Sequence, residues 1–155
     1  MGRALQERLA TKRFEGPHHE ALLNLILASN HMRGRMDEVF NGAGLTQPQY
    51  NVLRILNGAH PEGYPRGEIA RRVLDRAPDL TRMLDRLVKR GLVQRSRSGD
   101  DGRQSIARIT AKGRELLTGM HGRVRSVQRE LSKRLSLREA AELSRLCEKV
   151  YAEED

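Results

Sequence analysis

The sequence predicts a mainly α-helical fold carrying one small β-hairpin, and three observations lead there. Apolar residues recur at steps of three and four over most of the chain, which is the helical period. Aromatics make up only 3% and Trp is absent, so the core must be Leu, Ile, Val, Met and Ala. That composition favours helices over a β-sandwich. One cluster of turn residues, Ser98-Gly99-Asp100-Asp101-Gly102, separates two short extended runs, the pattern of a hairpin.

Each element follows in order. Residues 1–17 are polar and basic and end in Gly16-Pro17, an expected mobile arm with room for some helix. From His18 to Asn41 the residues Leu22, Leu23, Ile26, Leu27, Met32, Met36, Val39 and Phe40 mark an amphipathic helix, stopped by Gly42 and Gly44. Thr46-Gln47-Pro48-Gln49 reads as a capping box, with the Thr hydroxyl and the Gln side chain exchanging bonds with each other's amides. Tyr50, Leu53, Ile55 and Leu56 supply the apolar side of that helix, and the run from Asn57 to Gly63 is turn-rich. Pro65 to Val73 forms a short third helix with Ile69, Ala70 and Val73 inward. Pro78 opens a fourth at its first turn, with Asp79 at the positive end of its dipole. There Leu80, Met83, Leu84, Leu87 and Val88 form the inward stripe, and Gly91 terminates it. Leu92 to Arg97 and Gln104 to Thr110 are the arms of the hairpin. Thr110 then caps a long helix carrying Leu116, Leu117, Met120, Val124, Val127, Leu131 and Leu135. A second capping box, Ser136-Leu137-Arg138-Glu139, opens a last helix with Ala140, Leu143, Leu146, Cys147 and Val150.

Charge narrows the function. The chain of 155 residues carries 29 Lys and Arg against 20 Asp and Glu, a net +9, and most of the cations are Arg. Such an excess attracts polyanions, nucleic acid above all, although a solvated basic surface has the same composition. A lone cysteine allows no disulfide within the chain and fits a reducing compartment. The N-terminus shows no signal-peptide core and no run is long enough to span a membrane, so a cytoplasmic location without membrane contact is expected. His18, His19 and Glu20 have no second cluster nearby, so no metal or other cofactor is expected. Nucleophile elbow, phosphate loop and paired-carboxylate motifs are absent, which argues against an enzyme. Cys147 lies among apolar residues at helical spacing and is expected to be buried rather than redox-active. Tyr50 and Tyr64 are expected to pack rather than line an effector cavity.

The informative stretch is 65–110. A short helix, a turn, a second helix with arginines near its start and then a basic-tipped hairpin make a winged helix-turn-helix. The second helix of such a pair enters the major groove of DNA, where each base pair shows its own donor and acceptor pattern. With Leu80, Met83, Leu84 and Leu87 inward, Asp79, Thr81, Arg82, Asp85 and Arg86 remain outside. Arg82 is the expected base reader, since a guanidinium bonds bidentately to guanine. Thr81 suits a phosphate or a thymine methyl, and Arg86 a phosphate. A solvated face held by Asp79 and Asp85 pairing with the arginines is the competing reading. Arg103, beside the hairpin turn, is the expected minor-groove residue. The candidate DNA-binding set is therefore Asp79, Thr81, Arg82, Arg86, Arg97, Ser98 and Arg103, with Arg95 and Asp101 shaping the wing.

The stretch DLTRMLDRLVKRGLVQRSRSGDDGRQSIARITAKGREL resembles the multiple-antibiotic-resistance regulator (MarR) family. Thr81-Arg82, Leu84-Asp85-Arg86-Leu87, Gly91-Leu92-Val93 before Arg95, Asp101 with Arg103, and Thr110, Lys112 and Gly113 carry the resemblance. Gly102 stands where the family commonly has a second arginine, and Pro78-Asp79 replaces frequent small hydroxyl residues. The resemblance implies a homodimer built from the N-terminal helix and the two C-terminal helices, set on a pseudo-palindromic operator in double-stranded DNA. It also implies control by a small molecule, often a phenolic or lipophilic anion, or by cysteine oxidation, and repression as the commoner mode. The expected organisation is an arm over 1–17, a dimerisation helix over 18–44, the winged domain over 45–110 and dimerisation helices over 111–155. A non-specific architectural DNA-binding protein and a ligand-binding module with vestigial DNA contacts are the competing functions.

Overall fold

The computed structural model describes residues 3–11, 13–74, 79–97 and 105–152. The chain runs α1 (Arg3–Leu9), α2 (Pro17–Asn41), α3 (Gln47–Gly58), β1 (Tyr64–Pro65), α4 (Arg66–Arg72), α5 (Leu80–Lys89), β2 (Val93–Arg97), β3 (Ser105–Ile109), α6 (Ala111–Ser132) and α7 (Leu137–Tyr151). The expected hairpin is present, with Val93 opposite Ile109 and Arg97 opposite Ser105. It is joined by a strand that the pattern did not announce. Tyr64 and Pro65 pair antiparallel with Ala107 and Ile106, giving a three-stranded sheet in the order β1-β3-β2.

The caps fall where the residues place them. The Thr46 and Gln49 groups close a full capping box, as do Ser136 and Glu139, and the Thr110 hydroxyl accepts from the Gly113 amide. Leu53, Leu56, Ile69, Leu84 and Leu87 are fully buried and meet Phe40, Leu45, Leu92, Ile109, Leu117 and Met120 in one cluster. Val52, which the helical pattern passed over, is as buried as Leu53. Phe40 and Tyr50 stack with centroids 4.5 Å apart, and Arg72 lies 4.7 Å over the Tyr64 ring. Both tyrosines therefore pack, as expected.

Gly91 and Gly113 are each required by geometry. Gly91 has φ +70° at the end of α5, a left-handed conformation that a side chain disfavours. Gly113 is buried where a Cβ would overlap the Leu92 carbonyl oxygen and the Ile109 side chain. It lets the first turn of α6 close onto the sheet.

The arm contains a helix, α1, whose Leu5 is buried. Several expectations are corrected. The first expected helix, α2, starts one residue earlier, at Pro17. The third helix begins at Arg66 because Pro65 is drawn into β1 and serves as N-cap, and Val73 is its C-cap. Ala70 is exposed rather than inward, since a seven-residue helix presents only Ile69 fully to the core. Val88 is likewise exposed at the end of the α5 stripe. The fourth helix is capped by Asp79 and starts at Leu80, and Pro78 lies outside the described residues. Cys147 is only partly covered in the single chain, because α7 has no buried residue.

α6 packs on α2 and α3, and Arg35 of α2 grips Glu130 of α6 through Nε at 3.1 Å and Nη2 at 2.5 Å. The outer apolar side chains of α2 and α7 stay open: Leu22 is 55% exposed, Leu146 46% and Val150 69%. No helix among the described residues is long and apolar enough to cross a membrane.

Candidate nucleic-acid interface

The site is built around α5, a sharply two-faced helix. Leu80, Leu84 and Leu87 are buried at helical spacing, so Thr81, Arg82 and Arg86 are forced outward. The Asp79 carboxylate accepts from the Arg82 amide at 3.1 Å, which satisfies one of the unpaired donors at the helix start. The same carboxylate meets the Arg82 guanidinium at 2.9 Å. Arg82 is nonetheless 80% exposed, and an exposed pair of this kind contributes at most about 1 kcal/mol. Its guanidinium is held in the outward position yet is free to exchange its partner. The Arg86 side chain, one turn on, makes no ion pair among the described residues.

Arg95 has the opposite fate. From β2 it reaches back to α5, donating from Nη1 to the Asp85 carboxylate at 2.7 Å and from Nη2 to the Thr81 carbonyl at 3.3 Å. Its side chain is 30% exposed. It therefore fixes the helix against the sheet. Asp85 is consumed in the same bridge, so of the two acids on the helix one caps it and the other docks the wing. Arg108 of β3 donates to the Ser96 hydroxyl across the hairpin.

Behind α5 a second set of bonds had no sequence signal beyond basic residues near a helix end. Arg90 donates to the Gly44 carbonyl at 2.6 Å, and Lys112 donates to the Arg90 carbonyl at 3.0 Å. Thr110 donates to the Gly91 carbonyl at 2.7 Å. Together these tie the end of α5 to the turn before α3 and to the start of α6. The opposite side of α5 opens into a cleft of about 620 Å³ whose walls include Arg66, Glu68, Arg71, Thr81, Arg95 and Ser105.

The structure thus brings Asp79, Thr81, Arg82 and Arg86 onto one exposed helix, with Arg95 bridging it to the wing. Arg97 ends β2 opposite Ser105. Ser98, Asp101 and Arg103 lie outside the described residues. No group of three His, Cys, Asp or Glu suited to a metal occurs among the described residues.

Comparison with known proteins gives consistent neighbours. Residues 45–105 match the sequence pattern of the MarR family. A MarR transcription factor of Planctomyces limnophilus has 38% identity, covering 88% of this chain and 98% of that one, with TM-score 0.68. A mutant of MarR from E. coli, solved in complex with operator DNA, has 27% identity, covering 82% and 90%, with TM-score 0.73. The HTH-type transcriptional repressor YetL of Bacillus subtilis (strain 168) is 26% identical over 117 residues, 73% of this chain and 70% of that protein.

Proposed function

The chain belongs to the MarR family, and from that premise we propose that it is a cytoplasmic, sequence-specific regulator of transcription, not an enzyme. It binds double-stranded DNA as a homodimer. The observation that carries this reading is the outward set of Thr81, Arg82 and Arg86 on a helix whose other face buries Leu80, Leu84 and Leu87, with the wing docked beside it through Arg95. The likeness to a MarR–operator complex supports the same orientation on DNA.

In this reading α5 lies in the major groove, with Arg82 exchanging Asp79 for a guanine edge and Arg86 reaching a phosphate. Thr81 contacts a phosphate or a thymine methyl, and Asp79 holds Arg82 in place at the helix start. Arg97, Ser98 and Arg103 extend the contact along the wing, and Arg103 enters the minor groove. Asp101 shapes the wing tip. The division of labour is a winged domain over 45–110 between dimerisation helices at 18–44 and 111–155. The open apolar residues of α2 and α7 support the dimer, since apolar helix faces of this kind call for a partner. The YetL likeness favours repression. Control by a small phenolic or lipophilic anion fits this reading, the ligand acting by binding one spacing of the two recognition helices better than the other.

Footprinting on genomic fragments, with random duplex as competitor, tests the proposal. A discrete protected site preferred by roughly 10³-fold or more is expected. Uniform coating without preference would instead establish an architectural DNA-binding protein.

A further inference from the structure

We propose that Arg66, in the first turn of α4, is a phosphate clamp that sets the register of the winged domain on DNA, a role that rests on the DNA-binding reading above. The other basic residues on the walls of the cleft beside α5, Arg71 and Arg95, each meet a carboxylate. Arg71 and Arg72 both pair with Glu68, the latter at 3.0 Å. Arg72 also covers the Tyr64 ring. Arg95 is held by Asp85 and Arg82 by Asp79. Arg66 is exposed, lies on the wall of the same cleft as Thr81, and makes no ion pair or side-chain hydrogen bond with any described residue.

Its position decides which part of DNA it can meet. Arg66 stands on the first helix of the pair, across the cleft from the residues of α5 that face the groove. The first helix of a helix-turn-helix crosses the sugar-phosphate backbone while the second enters the groove. A long cation at that place meets a phosphate flanking the contacted bases rather than a base edge. A guanidinium is suited to it, offering two parallel donors to phosphate oxygens. Such a contact carries no sequence information but fixes the angle at which α5 enters the groove.

Salt dependence separates a phosphate contact from a base contact. For Arg66→Ala, the slope of log affinity against log salt should become shallower by about one per protomer, hence about two per dimer. Affinity for the operator and for random duplex should fall by a similar factor, about tenfold or more at low salt. Arg66→Lys should retain the slope, and Arg8→Ala, an exposed change on α1, should leave it as in the wild type. Arg66→Gln with a melting curve covers any loss of fold in the alanine variant. An unchanged slope in folded Arg66→Ala or Arg66→Gln would overturn the assignment, as would a loss confined to one base position of the operator. Absence of any discrete wild-type site would defeat the DNA-regulator reading itself, and is distinguished by being seen before any variant is made.

Discussion

Arg82 and Arg95 both sit beside a carboxylate, and burial and sequence distance separate their roles. Arg82 pairs with an aspartate three residues away on its own helix and stays 80% exposed. Arg95 pairs with Asp85 on another element, and its side chain is 30% exposed. The first pairing was legible, because residues three apart share a helix face. The second was not, because it depends on how β2 folds back onto α5. The same logic governs Arg35 and Glu130, which lie 95 residues apart and which no local pattern could join. The Arg35 hydrogen bonds hold the Glu130 carboxyl below the usual carboxylate range, with the charge of Arg35 adding to the effect. A depressed value in the folded state means the stabilisation is complete above the ordinary carboxylate pKa of about 4.3 and is lost as pH falls through the lower folded value. Urea unfolding followed from neutral pH down to about pH 2.5 should therefore show a steeper acid-side loss in the wild type than in Glu130→Gln. Equal pH profiles would remove this pair from the acid response.

Among the elements, helices with strong caps and long stripes were read nearly to the residue. Both capping boxes and the Thr110 cap are present because their bonds lie within four residues. Short elements were misjudged where tertiary pairing overrides local pattern. β1 is two residues long and exists only because β3 offers it a partner. Ala70 and Val88 fit a helical period yet are exposed, Val88 at 36%, because the period does not say how far a neighbouring element reaches. Gly113 has the reverse character, since a residue of a family motif proves to be a packing requirement. Gly113→Ala should lower the unfolding free energy by about 2 kcal/mol through overpacking against Leu92 and Ile109. Unchanged stability in denaturant melts would mean that the sheet and α6 separate without cost.

At the scale of the whole molecule, the proposed homodimer rests on apolar faces that the single chain leaves open. α7 buries none of its residues, and its Leu143 and Leu146 are 44% and 46% exposed. Replacing both by Asp should yield a monomer by sedimentation and weaken operator binding roughly 10²-fold or more, because two linked half-sites no longer act together. A dimer of unchanged size would move the interface elsewhere. The layout was legible at this scale because charge, helix period and one turn cluster agree, whereas the wing tip carrying Arg103 lies outside the described residues. The reading of the major groove by α5 is tested most directly by methylation interference at guanine N7 on the bound operator. The wild-type protein should lose binding at two patches about one helical turn apart, roughly 10 base pairs. Arg82→Ala should lose that sensitivity at one symmetry-related pair of positions while still binding, more weakly. If N7 methylation leaves wild-type binding intact throughout the protected site, or if Arg82→Ala keeps the full wild-type pattern, the outward arginine of α5 does not read the groove.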